Sequence, residues 1–289
     1  MNDINDAGLT MFHKKLSPSA SLRARSIFKP ALVIAACGLT VSACASADTT
    51  RSGFLSDYSQ LQPRTDTVRA KVAQHRNPQL LAPIEAVWIE PTVLVGDIGD
   101  GFSDEEKTII TREIDRRLCF ALSGRFDIAP QPDPSAGRLR AAASRVRPTN
   151  AVGSSASAVA NFFIPGPLGV RVPGSTGGLA AEAELLTPDG QQAAAVVWAR
   201  DAQVVGTESP SLSRIGDAHQ LTGAFADIVA DAITPEGRPK RDNNGEDPCA
   251  RFGPRIRPEG FVSRVITGLY TPSLSGGTPE QKEPEPEPR

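Results

Sequence analysis

The sequence predicts an α+β domain: one antiparallel or mixed sheet of about four to five strands, two helices packed on one face, and extended segments at both ends. Three observations predict it. Apolar residues recur at helical spacing in two separate stretches, one after Ser103 and one after Leu212. Two apolar runs flank Asp189-Gly190, a dipeptide that favours tight hairpin turns. The elements then follow the order strand, helix, strands, hairpin, helix.

Residues 84–90 (IEAVWIE) are rich in β-branched and aromatic side chains and continue through 92–95 to Gly96-Asp97, with Pro91 marking a bulge or an edge. Ser103 precedes Asp104, Glu105 and Glu106, a capping box that sets carboxylates on the positive end of a helix dipole. Ile110, Ile114, Leu118, Ala121 and Leu122 continue that helix and Gly124 supplies a stop. Residues 126–128 start a second strand, which resumes after the QPDPSAG turn over 138–146. Residues 179–186 and 193–199 form the hairpin around Asp189-Gly190. Ile215, Ala218, Thr222, Phe225, Val229 and Ala232 or Ile233 line a second amphipathic helix ended by Pro235.

Between strands and hairpin, residues 151–178 combine a Ser/Ala-rich stretch with NFFIPGPLGV, whose prolines and glycines argue against a long regular element. Two readings stand: a crossover loop folding Phe162 and Phe163 onto the core, or an apolar patch for a partner or a membrane. Beyond Pro235 the chain has one small element near 261–270 and a charged EPEPEPR tail.

The first forty-odd residues carry an address. Lys14, Lys15, Arg23, Arg25 and Lys29 precede a short apolar run, 31–41, and then Ser42-Ala43-Cys44. This is the order of a secretory signal, and the run is too short for a stable membrane-spanning helix. Val41-Ser42-Ala43-Cys44 resembles a lipobox, which predicts cleavage between Ala43 and Cys44 and acylation of Cys44. The competing site at Cys37 leaves about six apolar residues where roughly 7–15 are usual. A secreted protein cut near Ala47 is the alternative, and Met11 is a second candidate start. The expected domains are a signal over 1–43, an anchor and tether over 44–82, the α+β domain over 83–235 and an extension over 236–289. Ala45 after the acylated cysteine points, by resemblance to bacterial lipoproteins, to the outer membrane, with the domain in the periplasm.

Without the leader the formal net charge is −5, which makes nucleic acid an unsuitable partner. Two cysteines, Cys119 and Cys249, remain for an oxidising compartment, and a disulfide between them is expected; one buried and one exposed thiol is the alternative.

Ser52-Gly53-Phe54-Leu55-Ser56-Asp57-Tyr58-Ser59-Gln60-Leu61 resembles the S-G-F-L-x-D-Y-S-x-L signature found just after the lipid anchor in a family of bacterial outer-membrane lipoproteins of unknown function, the DUF3313-like lipoproteins. The resemblance runs from Ser52 to about Ile233. Phe54, Leu55, Tyr58 and Leu61 fall at helix-like spacing and would dock the tether on the domain; a dedicated partner surface including Asp57 is the sharper reading. The element order also resembles, more weakly, periplasmic domains of lipoproteins related to the curli-secretion channel and the amino-terminal domain of the Tol translocation protein. Those relatives bind envelope proteins or assemble into rings, and none of their motifs is legible here.

No catalytic motif emerges. The histidines are His13, His75 and His219, and neither Cys-x-x-Cys nor His-Glu-x-x-His occurs. Asp217 and His219, with Ser211 and Ser213 nearby, lack a nucleophile elbow and read as capping and surface residues. The Gly96–Gly101 loop lacks a phosphate-loop Lys-Ser/Thr and the terminal glutamate of a calcium loop. Glu182 and Glu184 read as one solvated sheet face. The expectation is a protein without enzymatic activity, cofactor or metal, bound to a membrane through acylated Cys44 and to an envelope protein or its own copies. The alternatives are an envelope hydrolase and a carrier of lipid or another small ligand.

Overall fold

The computed structural model describes residues 51–96, 98, 101–162, 169–241 and 246–276. The N-terminal part contributes strands β1 (Gln62–Pro63) and β2 (Lys71–Arg76), the short helix α1 (Pro78–Leu81), and strands β3 (Ala86–Ile89) and β4 (Val93–Leu94). Helix α2 (Asp104–Leu122), strands β5 (Asp127–Ala129) and β6 (Gly137–Arg147), helix α3 (Ala151–Phe162) and strand β7 (Gly169–Val170) follow. Strands β8 (Gly178–Leu186), β9 (Gln192–Asp201) and β10 (Val205–Gly206) lead to helices α4 (Gly216–Ile233), α5 (Pro258–Thr267) and α6 (Pro272–Ser275).

Eight strands form one mixed sheet in the order β1-β2-β9-β8-β6-β3-β5, with β4 also beside β6. From β1 to β6 the neighbours are antiparallel, whereas β3 runs parallel to β5 and β6, and β4 parallel to β6. The α+β class is therefore observed with more strands than the four to five expected. Two sources account for the excess. Pro91 splits one expected strand into β3 and β4, because proline has no N–H to give to the ladder. Residues 62–63 and 71–76, expected in the tether, add β1 and β2; KVAQHR has a single β-branched residue, Val72, and so carried little strand signal.

Helices α2 and α4 cover one sheet face. Ile110, Ile114, Leu118 and Leu122 of α2 and Leu221, Phe225 and Val229 of α4 share a core with Leu139, Leu179, Leu185, Val196 and Trp198. Trp198 meets Phe225 with ring centroids 5.7 Å apart. Each such side chain contributes about 1.5–3 kcal/mol when fully buried. The expected capping box opens α2: Ser103 N–H donates to Glu106 Oε2 at 2.9 Å and Glu106 N–H donates to Ser103 Oγ at 3.2 Å.

On the opposite face β6 presents Arg138, Arg140, Arg145 and Arg147, a register shift between Ala143 and Arg145 keeping the last two in phase with Ala180 and Gly178. The C-terminal extension is fastened to the helical layer. Cys119 of α2 is bonded to Cys249, with Cα atoms 5.8 Å apart, and the buried Arg116 donates to the carbonyls of Pro254 and Arg255 at 3.1 and 3.3 Å.

The stretch expected to lack a long element contains the twelve-residue helix α3. Its first proline comes only at 165, after the helix has ended, and Asn150 caps its start by accepting from Gly153 N–H at 3.1 Å.

Candidate functional site

The signature segment docks on the sheet face that α2 and α4 leave uncovered. It forms no helix; side-chain hydrogen bonds hold it instead. Glu182 accepts from Ser52 N–H and Ser52 Oγ, both at 2.8 Å, and from Tyr58 Oη at 2.5 Å. Glu184 accepts from Ser56 N–H at 2.9 Å, Ser56 Oγ at 2.6 Å, Arg140 at 2.9 Å and Gln192 Nε2 at 2.8 Å. Both carboxylates are therefore fully buried, which corrects their reading as a solvated pair: alternation identified the face, but the cover comes from 130 residues upstream. Leu55 is buried against Ala195 and Val197, with Phe54, Tyr58 and Leu61 packed around it. The Arg140 guanidinium lies 4.8 Å from the Phe54 ring centroid. Tyr58 Oη also accepts from Gly53 N–H at 2.9 Å and Leu55 N–H at 3.1 Å, and burial raises its pKa.

Asp57 turns outward. Its carboxylate accepts from Ser59 N–H and Oγ at 2.7 and 2.9 Å, bonds that hold its pKa below the ordinary value. Removing the Tyr58 hydroxyl takes a donor from a buried carboxylate, a loss of about 1.5–3 kcal/mol for a bond to a charged group. Tyr58→Phe is expected to speed amide exchange at Ser52, Gly53, Leu55 and Ser56 while leaving α2 protected; unchanged exchange there would show that the segment is held by other means.

Asp217 and His219, read from sequence as capping and surface residues, are both buried. Asp217 forms a two-pronged ion pair with buried Arg171 at 2.9 and 3.1 Å and accepts from Gly177 N–H at 2.6 Å. Arg171 donates onward to Ser154 Oγ of α3 at 3.3 Å. His219 belongs to a second cluster. Buried Glu113 binds Arg116 through both oxygens, at 2.6 and 2.7 Å, and lies 3.9 Å from His219 Nε2. The Tyr270 hydroxyl is 2.8 Å from His219 Nδ1. Burial pushes the imidazole down to about 4 and the phenol up to about 12, so at neutral pH an uncharged phenol meets an uncharged ring. Burial alone would raise the Glu113 carboxyl, but the Arg116 hydrogen bond and the charges of Arg116 and Arg117, joined by His219 once protonated, outweigh it, and its pKa lies below the ordinary value.

The His219 shift has a pH signature. The unfolded imidazole, near 6.5, takes up a proton before the folded one, so the wild-type chain loses about 3 kcal/mol of stability from this group as pH falls from 6.5 to 4. His219→Gln abolishes that loss. Urea unfolding at both ends of the window should show the variant gaining on the wild type by about that amount; a constant difference would place the protonated ring comfortably inside the fold.

A third feature is apolar. Helix α3 turns Ser154 and Ser157 inward, where Ser157 Oγ accepts from Val172 N–H at 2.9 Å, and turns Val152 and Val159 outward. Across a groove of about 640 Å³ stands α5, with Phe261, Val262, Val265 and Ile266 exposed. These six side chains are 51% to 82% exposed. The lining residues, which include Val159, Val265 and Ile266, contain no ionisable group. The Ser155 and Thr267 hydroxyls there donate to helix carbonyls at 3.0 and 2.7 Å.

Ala43, Cys44 and Phe163 lie outside the described residues, as does the Phe162 side chain. Among the described residues no His, Cys, Asp and Glu side chains are grouped to hold a metal, and no helix is long and apolar enough to cross a membrane.

The family described as "Protein of unknown function (DUF3313)" matches residues 50–229. The chain belongs to this family. The DUF3313 match thus spans the signature segment and the sheet and ends within α4, leaving α5 and α6 beyond it. No curated protein matches the chain. Among solved structures, the PelC dodecamer from Paraburkholderia phytofirmans aligns with 58% of this chain and 99% of its own, at 12% identity and a TM-score of 0.35. A point-substituted form of that dodecamer aligns at 12% identity with a TM-score of 0.34, covering 58% of this chain and 98% of its own.

Proposed function

We propose that this DUF3313 protein is a non-enzymatic binding or assembly component of the bacterial cell envelope, held to the periplasmic face of the outer membrane through acylated Cys44. The observation that carries the reading is the α3–α5 groove: an exposed apolar surface whose lining has no acid, base or activated nucleophile. Exposed apolar faces of this kind mark sites of contact with a partner or a membrane. Two polar clusters among the described residues, Arg171 with Asp217 and Arg116 with Glu113, are sealed inside the fold and engaged in ion pairs. The lipobox at 41–44 supplies the anchor, since each buried acyl CH2 is worth about 0.8 kcal/mol and two or more chains together hold firmly.

The test is cross-linking of intact cells that produce the tagged chain, beside a Cys44→Ala control, followed by membrane fractionation. The expected result is a membrane-bound protein carrying a specific envelope component that the control lacks. A purified chain that degrades envelope polymer would overturn the reading.

A further inference from the structure

The geometry points to the α3–α5 apolar face as the surface on which the domain rests against the lipid of the membrane that anchors it. The inference builds on acylation at Cys44 and adds an orientation.

Charge argues for lipid. Between Ala250 and Gly276 stand Arg251, Arg255, Arg257 and Arg264 against the single acidic residue Glu259, in a chain whose formal net charge is −2. Arg255 and Arg264 are exposed beside Ile256, Phe261, Val265 and Ile266. An apolar helix face bordered by arginines is the composition of helices that lie in the interface between anionic headgroups and acyl chains.

Direction and reach argue for the same surface. Ser52 contacts Glu182 and Ser56 contacts Glu184, so the segment runs along β8 away from Gly178. Ser52 thus sits toward the sheet end where Gly178 pairs with Arg147 and where α3 begins at Ala151. Cys44 precedes Ser52 by eight residues, a reach of at most about 29 Å. Glu182 lies four residues, about 13 Å, from the Gly178 end of β8. The sheet end that carries α3 therefore lies within the tether's reach. The docked signature segment fixes the point on the domain from which the tether starts.

The experiment uses the full lipidated chain in vesicles of phosphatidylcholine and phosphatidylglycerol. On the present reading Cys37 leaves with the signal, Cys44 is acylated, and Cys119 and Cys249 are bonded. Ile266→Cys and Asp189→Cys then each present one free thiol for a nitroxide label, the second at the Asp189-Gly190 turn on the opposite end of the sheet. The expected result is that the label at 266 is shielded from an aqueous nickel complex and relaxed by oxygen, and that the label at 189 shows the reverse. A label at 266 open to the nickel complex, on protein that floats with the vesicles, overturns the inference and leaves the anchor standing. Dipolar broadening between labels at 266 would assign the face to a second copy and also overturn it. A chain that does not float overturns acylation and the inference with it.

Discussion

Replacing Arg171 by methionine is expected to lower the unfolding free energy by about 3–5 kcal/mol, the usual cost of leaving one member of a buried ion pair without its partner. Asp217 is wholly buried and receives two bonds from Arg171. Its remaining donor, Gly177 N–H at 2.6 Å, supplies no charge. The effect should spread beyond the pair, because Arg171 also donates to Ser154 of α3 and to the Ser175 carbonyl at 3.3 and 3.4 Å. Amide exchange in α3 should rise along with the loss in urea-measured stability. The double variant Arg171→Met with Asp217→Leu should recover most of the loss, since well-packed apolar residues often replace a buried pair at little cost. If the double variant is as unstable as the single one, the pair is not the source of the effect.

Opening the bond between Cys119 and Cys249 should cost about 5 kcal/mol in the chain-entropy account, because the bond closes a loop of 130 residues. The expected comparison is Cys119→Ala with Cys249→Ala against the oxidised wild type. Folded-state dichroism should stay the same while the urea midpoint falls sharply. The structure also says where the loosened chain opens first. Apart from the disulfide, residues 246–276 are held by a few polar contacts, among them Arg116 through backbone carbonyls, Tyr270 N–H donating to the Pro210 carbonyl at 2.7 Å and the Tyr270 hydroxyl beside His219, so α5 and α6 should lose protection before the sheet does. A stability change under about 1 kcal/mol would mean that the unfolded chain is already compact in this region.

The sequence was most readable where one residue pattern decided one element. Ser103 with Glu106 marked the start of α2, and Asp189-Gly190 marked the turn between β8 and β9, because capping and turn chemistry act over a few residues. Three other features depend on distant parts of the chain. Glu182 and Glu184 alternate outward as a solvated pair would, and only the arrival of Ser52, Ser56 and Tyr58 removes them from water. Asp217 and His219 sit two residues apart on α4 and looked external, yet each is buried by a partner from another element, Arg171 and Tyr270. Helix α3 was hidden because its buried face carries serines and its exposed face valines, the reverse of the pattern by which an amphipathic helix is recognised. That same inversion leaves Val152 and Val159 exposed.

Strand β2 pairs with β1 and β9, and the signature segment rests on β8 and β9. A chain emerging from its N-terminus therefore presents residues 51–76 before the surface that receives them has been made. Closing a loop of this length carries an entropic cost that grows with the logarithm of the loop, and contacts so distant in sequence form slowly. Sheet completion must wait for the hairpin. Until then Ser52, Ser56 and Tyr58 have no carboxylate to bind, and the burial of Glu182 and Glu184 is among the last steps of folding.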